Sequence, residues 1–390
     1  MAQMADEILP IEFVDLKKQR ARIGDKIDSA IAKVLNHGQF ILGPEVKQLE
    51  DGLKAFCGAK YAIACSNGTD AIGLSLMALK VRPGQAVMVP AFTFAATAEV
   101  VGWMGATPIF IDSNPDTFNM DPASLEEGIK TAERAGLKPV GAIAVDLFGL
   151  AADYDAIEKI CDQNDMWVIS DSAQGFGAQY KGRPTGTLGK LATTSFFPAK
   201  PLGCYGDGGA IFTDDADLAA LLQSLRFHGK GDDKYDNVRI GMNARLDTIQ
   251  AGILIEKLAI YADEIEKRNL VAEAYTKALS GVVKTPTIPA EYLSVWAQYT
   301  LTLDAGVDRA KFQADMKAKG VPTAVYYPKP LHKQTAYSKF PVAGNGLPVC
   351  EDLAGRVVSL PMHPYLTDAQ ITHITEAVKS ALSNTARAAA

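Results

Sequence analysis

Five short apolar runs constrain this chain more than any other feature: AIAC (62–65), AVMVP (86–90), TPIFID (107–112), AIAVD (142–146) and WVISD (167–171). None alternates apolar with polar residues, so each predicts a strand buried on both faces. Between them, helical spacing predicts helices near 69–80, 94–104, 123–132 and 153–164. Strands that alternate with helices in this way form a largely parallel sheet covered on both faces. Upstream, apolar residues recur at helical spacing from Lys17 to Leu35, and Pro44 opens a further helix through Phe56.

Near Leu246 the pattern changes. A long helical segment runs to about Ser280, followed by alternating stretches (YTLTLD, TAVYY) and helices near 308–319 and 367–382. The expected organisation is a loose lead-in over residues 1–12, a large α/β domain over 13–255, and a bridging helix with a small α+β domain over 256–390. With 390 residues, 48% of them hydrophobic, the chain has ample material for such cores. Its formal net charge of −6 argues against a general nucleic-acid surface. The five cysteines form no CxxC pair and read as free thiols of a reducing compartment. No apolar run approaches the roughly 20 residues a membrane helix needs, and the first ten residues lack a signal-peptide pattern. A cytoplasmic protein is expected.

In an open α/β sheet, ligands bind beyond the carboxyl ends of the strands. After AIAC, the turn Ser66–Thr69 feeds a helix; it reads as an ordinary N-cap or as an anion site suited to phosphate. It matches neither GxGxxG nor GxxxxGK[ST]. After AVMVP come Phe92 and Phe94, which read as core aromatics or as a face for a flat ligand ring. Asp171 closes WVISD; it reads as a cap for the next turn or as an anion paired with a protonated heterocyclic nitrogen. Gln174 lies three residues on. After LATTS, Lys200 sits between Pro198 and Pro201, with Gly203, Gly206, Gly208 and Gly209 behind it. It reads as a surface lysine in a turn or as a restrained, desolvated amine that captures a carbonyl. Together, a phosphate turn, an aromatic, an anion and an amine at successive strand ends are the partners that pyridoxal phosphate requires.

These stretches also carry a resemblance. HGQFILGPEV (37–46), SNGTDA (66–71), PAFTFAATAE (90–99), DSAQGFGA (171–178), SFFPAKPLGCYGDGGA (195–210) and GMNARLDTIQAGIL (241–254) resemble the nucleotide-sugar aminotransferases of the DegT/DnrJ/EryC/StrS family, from Ile11 to near Ile371. The resemblance implies a fold type I enzyme that uses pyridoxal 5'-phosphate. By the same likeness, Lys200 is the Schiff-base lysine and Asp171 the carboxylate at the pyridine nitrogen. Gln174 contacts the ring hydroxyl and Phe94 stacks on the ring. Ser195, Gly68 and Thr69 form the phosphate cup. Asn243 reaches the phosphate of a neighbouring subunit's cofactor, which implies a homodimer with shared active sites. Arg245, beside Asn243, suits substrate anions across the same interface. Tyr326, Tyr327 and His332, in TAVYYPKPLHKQ after a small-domain strand, read as contacts to the sugar nucleotide or as local packing and turn structure.

Within the family, the likeness is to enzymes that aminate carbon 3 of UDP-2-acetamido-2-deoxy-3-oxo-glucuronate with L-glutamate, for lipopolysaccharide O-antigen sugars. Relatives that replace the lysine with histidine carry out dehydration, and the presence of Lys200 favours transamination. Alternatives are an aminotransferase of another 3-keto or 4-keto nucleotide sugar, linked to dTDP or GDP, and a non-catalytic regulator on the same fold. A nicotinamide dehydrogenase is disfavoured by the missing glycine fingerprint.

Overall fold

The computed structural model describes residues 10–233 and 235–389. Helices α1 (Leu16–His37) and α2 (Pro44–Cys57) lead into the alternation β1 (Tyr61–Cys65), α3 (Gly68–Ala78), β2 (Gln85–Pro90), α4 (Ala96–Trp103), β3 (Thr107–Ile111), α5 (Pro122–Arg134), β4 (Lys138–Val145), α6 (Tyr154–Gln163) and β5 (Trp167–Asp171). The two-residue strands β6 (Gln179–Tyr180) and β7 (Arg183–Pro184) precede β8 (Leu191–Ser195), β9 (Gly209–Thr213) and α7 (Ala216–Leu225). The chain then runs through α8 (Thr248–Leu279), β10 (Tyr292–Leu293), β11 (Tyr299–Thr302), α9 (Arg309–Ala318), α10 (Pro348–Arg356), β12 (Val357–Leu360) and α11 (Asp368–Ala389).

The main sheet has seven strands in the order β1-β9-β8-β5-β4-β2-β3. β9 runs antiparallel to both its neighbours, and the other pairs are parallel. This is the mostly parallel α/β sheet that the apolar runs predict. Both faces are buried. On β1, Ile63 and Cys65 join one hydrophobic cluster while Ala62 and Ala64 join another, formed with Leu49 and Leu53 of α2 and Leu254 of α8. The two-residue period of a strand divides these side chains between the faces. No helix among the described residues is long and apolar enough to cross a membrane.

A third cluster gathers Tyr275 and Leu279 of α8, Tyr299 and Leu301 of β11, Phe312 of α9, Val358 and Leu360 of β12 and Ile374 of α11. α8 therefore serves two cores: at 32 residues it spans about 48 Å. A boundary at residue 255 falls inside this continuous helix. Residues 256–390 also fail to segregate as one unit, because Leu331, Leu347, Cys350 and Leu353 pack into the core of the main sheet. Of the lead-in, residues 1–9 lie outside the described residues. Ile11 is buried in the third cluster, and the Phe13 carbonyl accepts from the Met362 amide at 3.2 Å, so residues 11–13 are packed rather than loose.

TAVYY is not a strand. It meets the β11–β12 pair at one bridge, Ala324 to Ser359, and then leaves it. Beyond Ala324 the tyrosines are drawn to the main sheet instead, where Tyr327 reaches Gln174.

Candidate active site

Asp171 is the last residue of β5 and is buried. Its carboxylate accepts from the Thr97 hydroxyl at 3.2 Å and from the Ala173 amide at 3.2 Å. Burial pushes its pKa up, against the opposing effects of the Ala173 amide, the Lys200 charge and Thr97. Lys200 lies in the turn that joins β8 to β9. The antiparallel register Ser195–Gly209 continues through Phe196 N–H to the Gly208 carbonyl, and the Lys200 amide closes onto the Phe197 carbonyl at 2.9 Å. A Cβ at Gly203 would come within 2.5 Å of the Pro198 carbonyl, so only glycine allows this closure. Burial pushes the Lys200 pKa down, while Asp171 pulls it up. A buried anion and a desolvated amine thus act on each other across the strand ends.

Gln174 is buried one turn beyond Asp171. Its Oε1 accepts from the Phe148 amide at 2.8 Å, and its Nε2 donates to the Tyr327 hydroxyl at 3.0 Å. Behind Asp171 lies a second carboxylate that the sequence reading did not single out. Asp146 follows β4, is fully buried, and donates its amide to the Asp171 carbonyl at 3.0 Å. Its side chain accepts from the Ser172 hydroxyl at 2.6 Å, the Tyr154 hydroxyl at 2.8 Å and the Ala152 amide at 3.1 Å. Burial raises its pKa to about 6 despite these donors. The signal was present, since AIAVD ends in a carboxylate as WVISD does.

The turn before α3 is capped by Asn67, whose Oδ1 accepts from the Asp70 amide at 2.7 Å. Ser66 donates to the Asp70 carboxylate as well. Gly68 and Thr69 open the helix directly against Ser195. A Cβ at Gly68 would fall 2.7 Å from the Ser195 Cβ, and one at Gly209 would fall 2.5 Å from the Asn67 carbonyl carbon. These close approaches place the free amides of a helix N-terminus beside the Ser195 hydroxyl, a cradle for an anion. Glu50 and Arg226 brace it: they form a buried ion pair at 2.5 Å, and Arg226 Nη1 also donates to the Ala64 carbonyl at 2.6 Å. Neither was singled out from the sequence, because they are 176 positions apart.

Other predicted residues lie further out. Phe94 is 58% exposed on the loop before α4. Asn243 is exposed, although its neighbour Ala244 accepts from the Ser66 amide at 3.3 Å. Arg245 sits over the Phe227 ring at 5.0 Å. Tyr326 packs between Phe13 and Tyr327. His332 is buried beside Phe110 and pairs with Glu351 at 3.0 Å, and it contributes no hydrogen bond to the Asp171–Gln174 group.

Buried anion, desolvated amine and anion cradle fit pyridoxal 5'-phosphate, which carries a protonatable ring nitrogen, an aldehyde and a phosphate. Asp171 and Lys200 would hold the first two, and Gly68, Thr69 and Ser195 the third. The comparisons with known proteins agree in kind. The chain is 50% identical over 369 residues to a UDP-2-acetamido-2-deoxy-3-oxo-D-glucuronate aminotransferase of Pseudomonas aeruginosa, covering 94% of this chain and 99% of that protein. It superposes on the crystal structure of a DegT DnrJ EryC1 StrS aminotransferase from Brucella abortus with a TM-score of 0.93, at 50% identity over 95% of this chain and 99% of the other. It is also similar to NtdA from Bacillus subtilis, solved with bound cofactor PMP, with a TM-score of 0.84 at 30% identity over 95% of this chain and 83% of the other. The model of one family matches residues 21–379, including every strand end described above. The chain belongs to the DegT/DnrJ/EryC1/StrS aminotransferase family.

Proposed function

We propose that this protein binds pyridoxal 5'-phosphate and transfers the amino group of L-glutamate to carbon 3 of UDP-2-acetamido-2-deoxy-3-oxo-glucuronate, a step toward lipopolysaccharide O-antigen sugars. The observation that carries this reading is the burial of Asp171 opposite the desolvated amine of Lys200 at the strand ends. The choice of sugar is supported by the half-identical, full-length relative from Pseudomonas aeruginosa.

Bound at this site, the cofactor supplies an aldehyde and an electron-withdrawing ring through which one amino group passes from donor to acceptor. The chain's own groups do the rest. Asp171, a carboxylate made more basic by burial, would hold the ring nitrogen of the cofactor and favour its protonated form. Lys200 Nζ, whose pKa burial lowers, would be the group that takes a proton from the donor α-carbon in one half-reaction and delivers one to carbon 3 of the acceptor in the other. The α3 amides, Thr69 and the Ser195 hydroxyl hold the phosphate. Gln174, fixed between Phe148 and Tyr327, orients the ring edge. Arg245, with its planar guanidinium, suits the carboxylates of glutamate and of the glucuronate.

A homodimer with shared sites is the reading we give to the exposed Asn243 and the exposed apolar side chains. Asn243 is exposed beside the phosphate turn, and Phe40, Ile41, Phe197 and Ile240 (89% accessible) are apolar and exposed. The test is to incubate the purified protein with L-glutamate and either the 3-oxo glucuronate or a 4-keto nucleotide sugar. A 3-amino product, seen by mass spectrometry and NMR, is expected. Product from the 4-keto sugar alone would overturn the carbon 3 assignment.

A further inference from the structure

The turn that carries Lys200 rests on a buried cation. Lys257, on α8, is 1% exposed, and its Nζ donates to the Gly203 carbonyl at 2.6 Å. The same nitrogen lies 4.3 Å from the centroid of the Tyr205 ring. Gln250, seven residues earlier on the same helix face, accepts from the Tyr205 amide at 2.9 Å and donates back to the Tyr205 carbonyl at 3.4 Å. From above, the Cys204 amide closes onto the Phe196 carbonyl at 2.8 Å. Residues 203–205 are therefore pinned on both sides, and Lys200 projects from the other arm of the same tight turn.

Such an ammonium is costly. Among the described residues no carboxylate lies within ion-pair distance of Lys257. Its partners are one carbonyl and one aromatic face, with Glu264 as a more distant charge, and burial lowers its pKa to about 8. A methionine would fill nearly the same volume without desolvating a charge, but it would leave the Gly203 carbonyl without this donor, so the two effects on stability oppose each other. The hydrogen bond at Gly203 has a local effect that apolar packing cannot reproduce: it sets how far the turn stands from α8.

We infer that Lys257 is a positioning residue for Lys200: by holding the Gly203 carbonyl and the Tyr205 ring, it fixes the turn at the height that places the Lys200 amine opposite Asp171. A merely structural role predicts a lower melting temperature with unchanged cofactor binding by the folded protein, whereas a positioning role predicts weaker binding at a nearly unchanged melting temperature.

The experiment compares full-length wild type, Lys257→Met and Lys257→Arg. It reads melting temperature without cofactor, titration with pyridoxal phosphate followed by absorbance, and hydrogen exchange of residues 197–206. Lys257→Met is expected to melt within a few degrees of wild type, to bind pyridoxal phosphate about tenfold more weakly, to shift the absorption of the bound cofactor, and to exchange faster in the turn. Lys257→Arg keeps a cationic donor and is expected to recover most of the affinity. A Lys257→Met variant whose dissociation constant stays within twofold, with unchanged spectrum and exchange, overturns the inference, as does an arginine variant as impaired as the methionine one. If Lys257→Met does not fold, Gln250→Leu frees Tyr205 alone and is expected to weaken binding about threefold; unchanged binding there overturns it equally. The inference rests on Lys200 as the amine that meets the cofactor aldehyde. An absorption spectrum indifferent to Lys200→Ala refutes that reading, whereas a spectrum that depends on Lys200 but not on Lys257 refutes only the positioning role.

Discussion

Asp171 and Tyr327 lie close enough to act on each other electrostatically but are held there by different means. Asp171 is fixed by the sheet: it pairs with Val145 and Thr193 in two parallel ladders, so its position follows from many hydrogen bonds in register. Tyr327 is brought by a returning segment, through one hydrogen bond to Gln174 and edge contacts with Phe92 and Tyr326. Five residues on, His332 turns away to Glu351. Groups set at strand ends can serve chemistry that needs sub-ångström placement. Groups on the returning segment are better suited to grading how tightly a substrate is held.

Substitutions test that division. The largest expected effect is at Lys200: Lys200→Ala should lower turnover at least about 10³-fold, while the melting temperature without cofactor stays at or above that of wild type, because a polar group whose burial is costly is removed. Retained turnover would break the comparison at its strongest point. Next, Asp171→Asn keeps the shape and removes the charge. Turnover should fall about 10²-fold or more, with an unchanged far-UV spectrum. An unfolded variant would mean instead that the carboxylate serves the sheet more than the site.

Asp146 tests the layer behind. Its folded pKa of about 6 lies above the ordinary 3.8. A raised carboxyl pKa contributes stability that is complete below the unfolded value and is lost as pH climbs through the folded one. The displacement corresponds to roughly 3 kcal/mol, lost between about pH 4 and 6.5. Urea unfolding of Asp146→Asn should lack this component, so its stability should rise more steeply, or fall less, across that range than wild type. Parallel curves would show that Asp146 does not titrate there.

The same contrast governs what can be read before a structure is known. WVISD is legible because a continuous apolar run ending in a carboxylate is a local pattern, and the flanking prolines mark Lys200 in the same way. TAVYY carries a misleading pattern: its alternation imitates a strand, but its partners are the rings and the glutamine of the main sheet. α10 escaped notice for a different reason. It has Leu347 at its N-cap and no local side-chain cap, because the Asp112 carboxylate, more than 200 positions earlier, accepts from the Val349 and Cys350 amides at 3.0 and 2.7 Å. By contrast, α7 has a local cap, Asp215 accepting from the Asp217 and Leu218 amides, which the sequence reading overlooked. Asn243 is the extreme case, since the role the family resemblance implies for it depends on a second copy of the chain.

The smallest effects fall on the returning segment, where they are most discriminating. Tyr327→Phe leaves the Gln174 amide donor without its acceptor in a buried place, a cost of about 1–2 kcal/mol. Because the role proposed for that donor is to orient the ring edge rather than to move protons, the loss should appear mainly as a three- to tenfold higher KM for the sugar nucleotide, with kcat nearly intact. His332→Gln keeps a donor for Glu351 and should leave KM within about twofold, changing stability by less than about 1 kcal/mol. Steady-state kinetics of the two variants side by side decides between them. A KM change at His332 larger than that at Tyr327 would mean that the substrate is held through the Glu351 side of the segment, and that Tyr327 meets Gln174 only as packing.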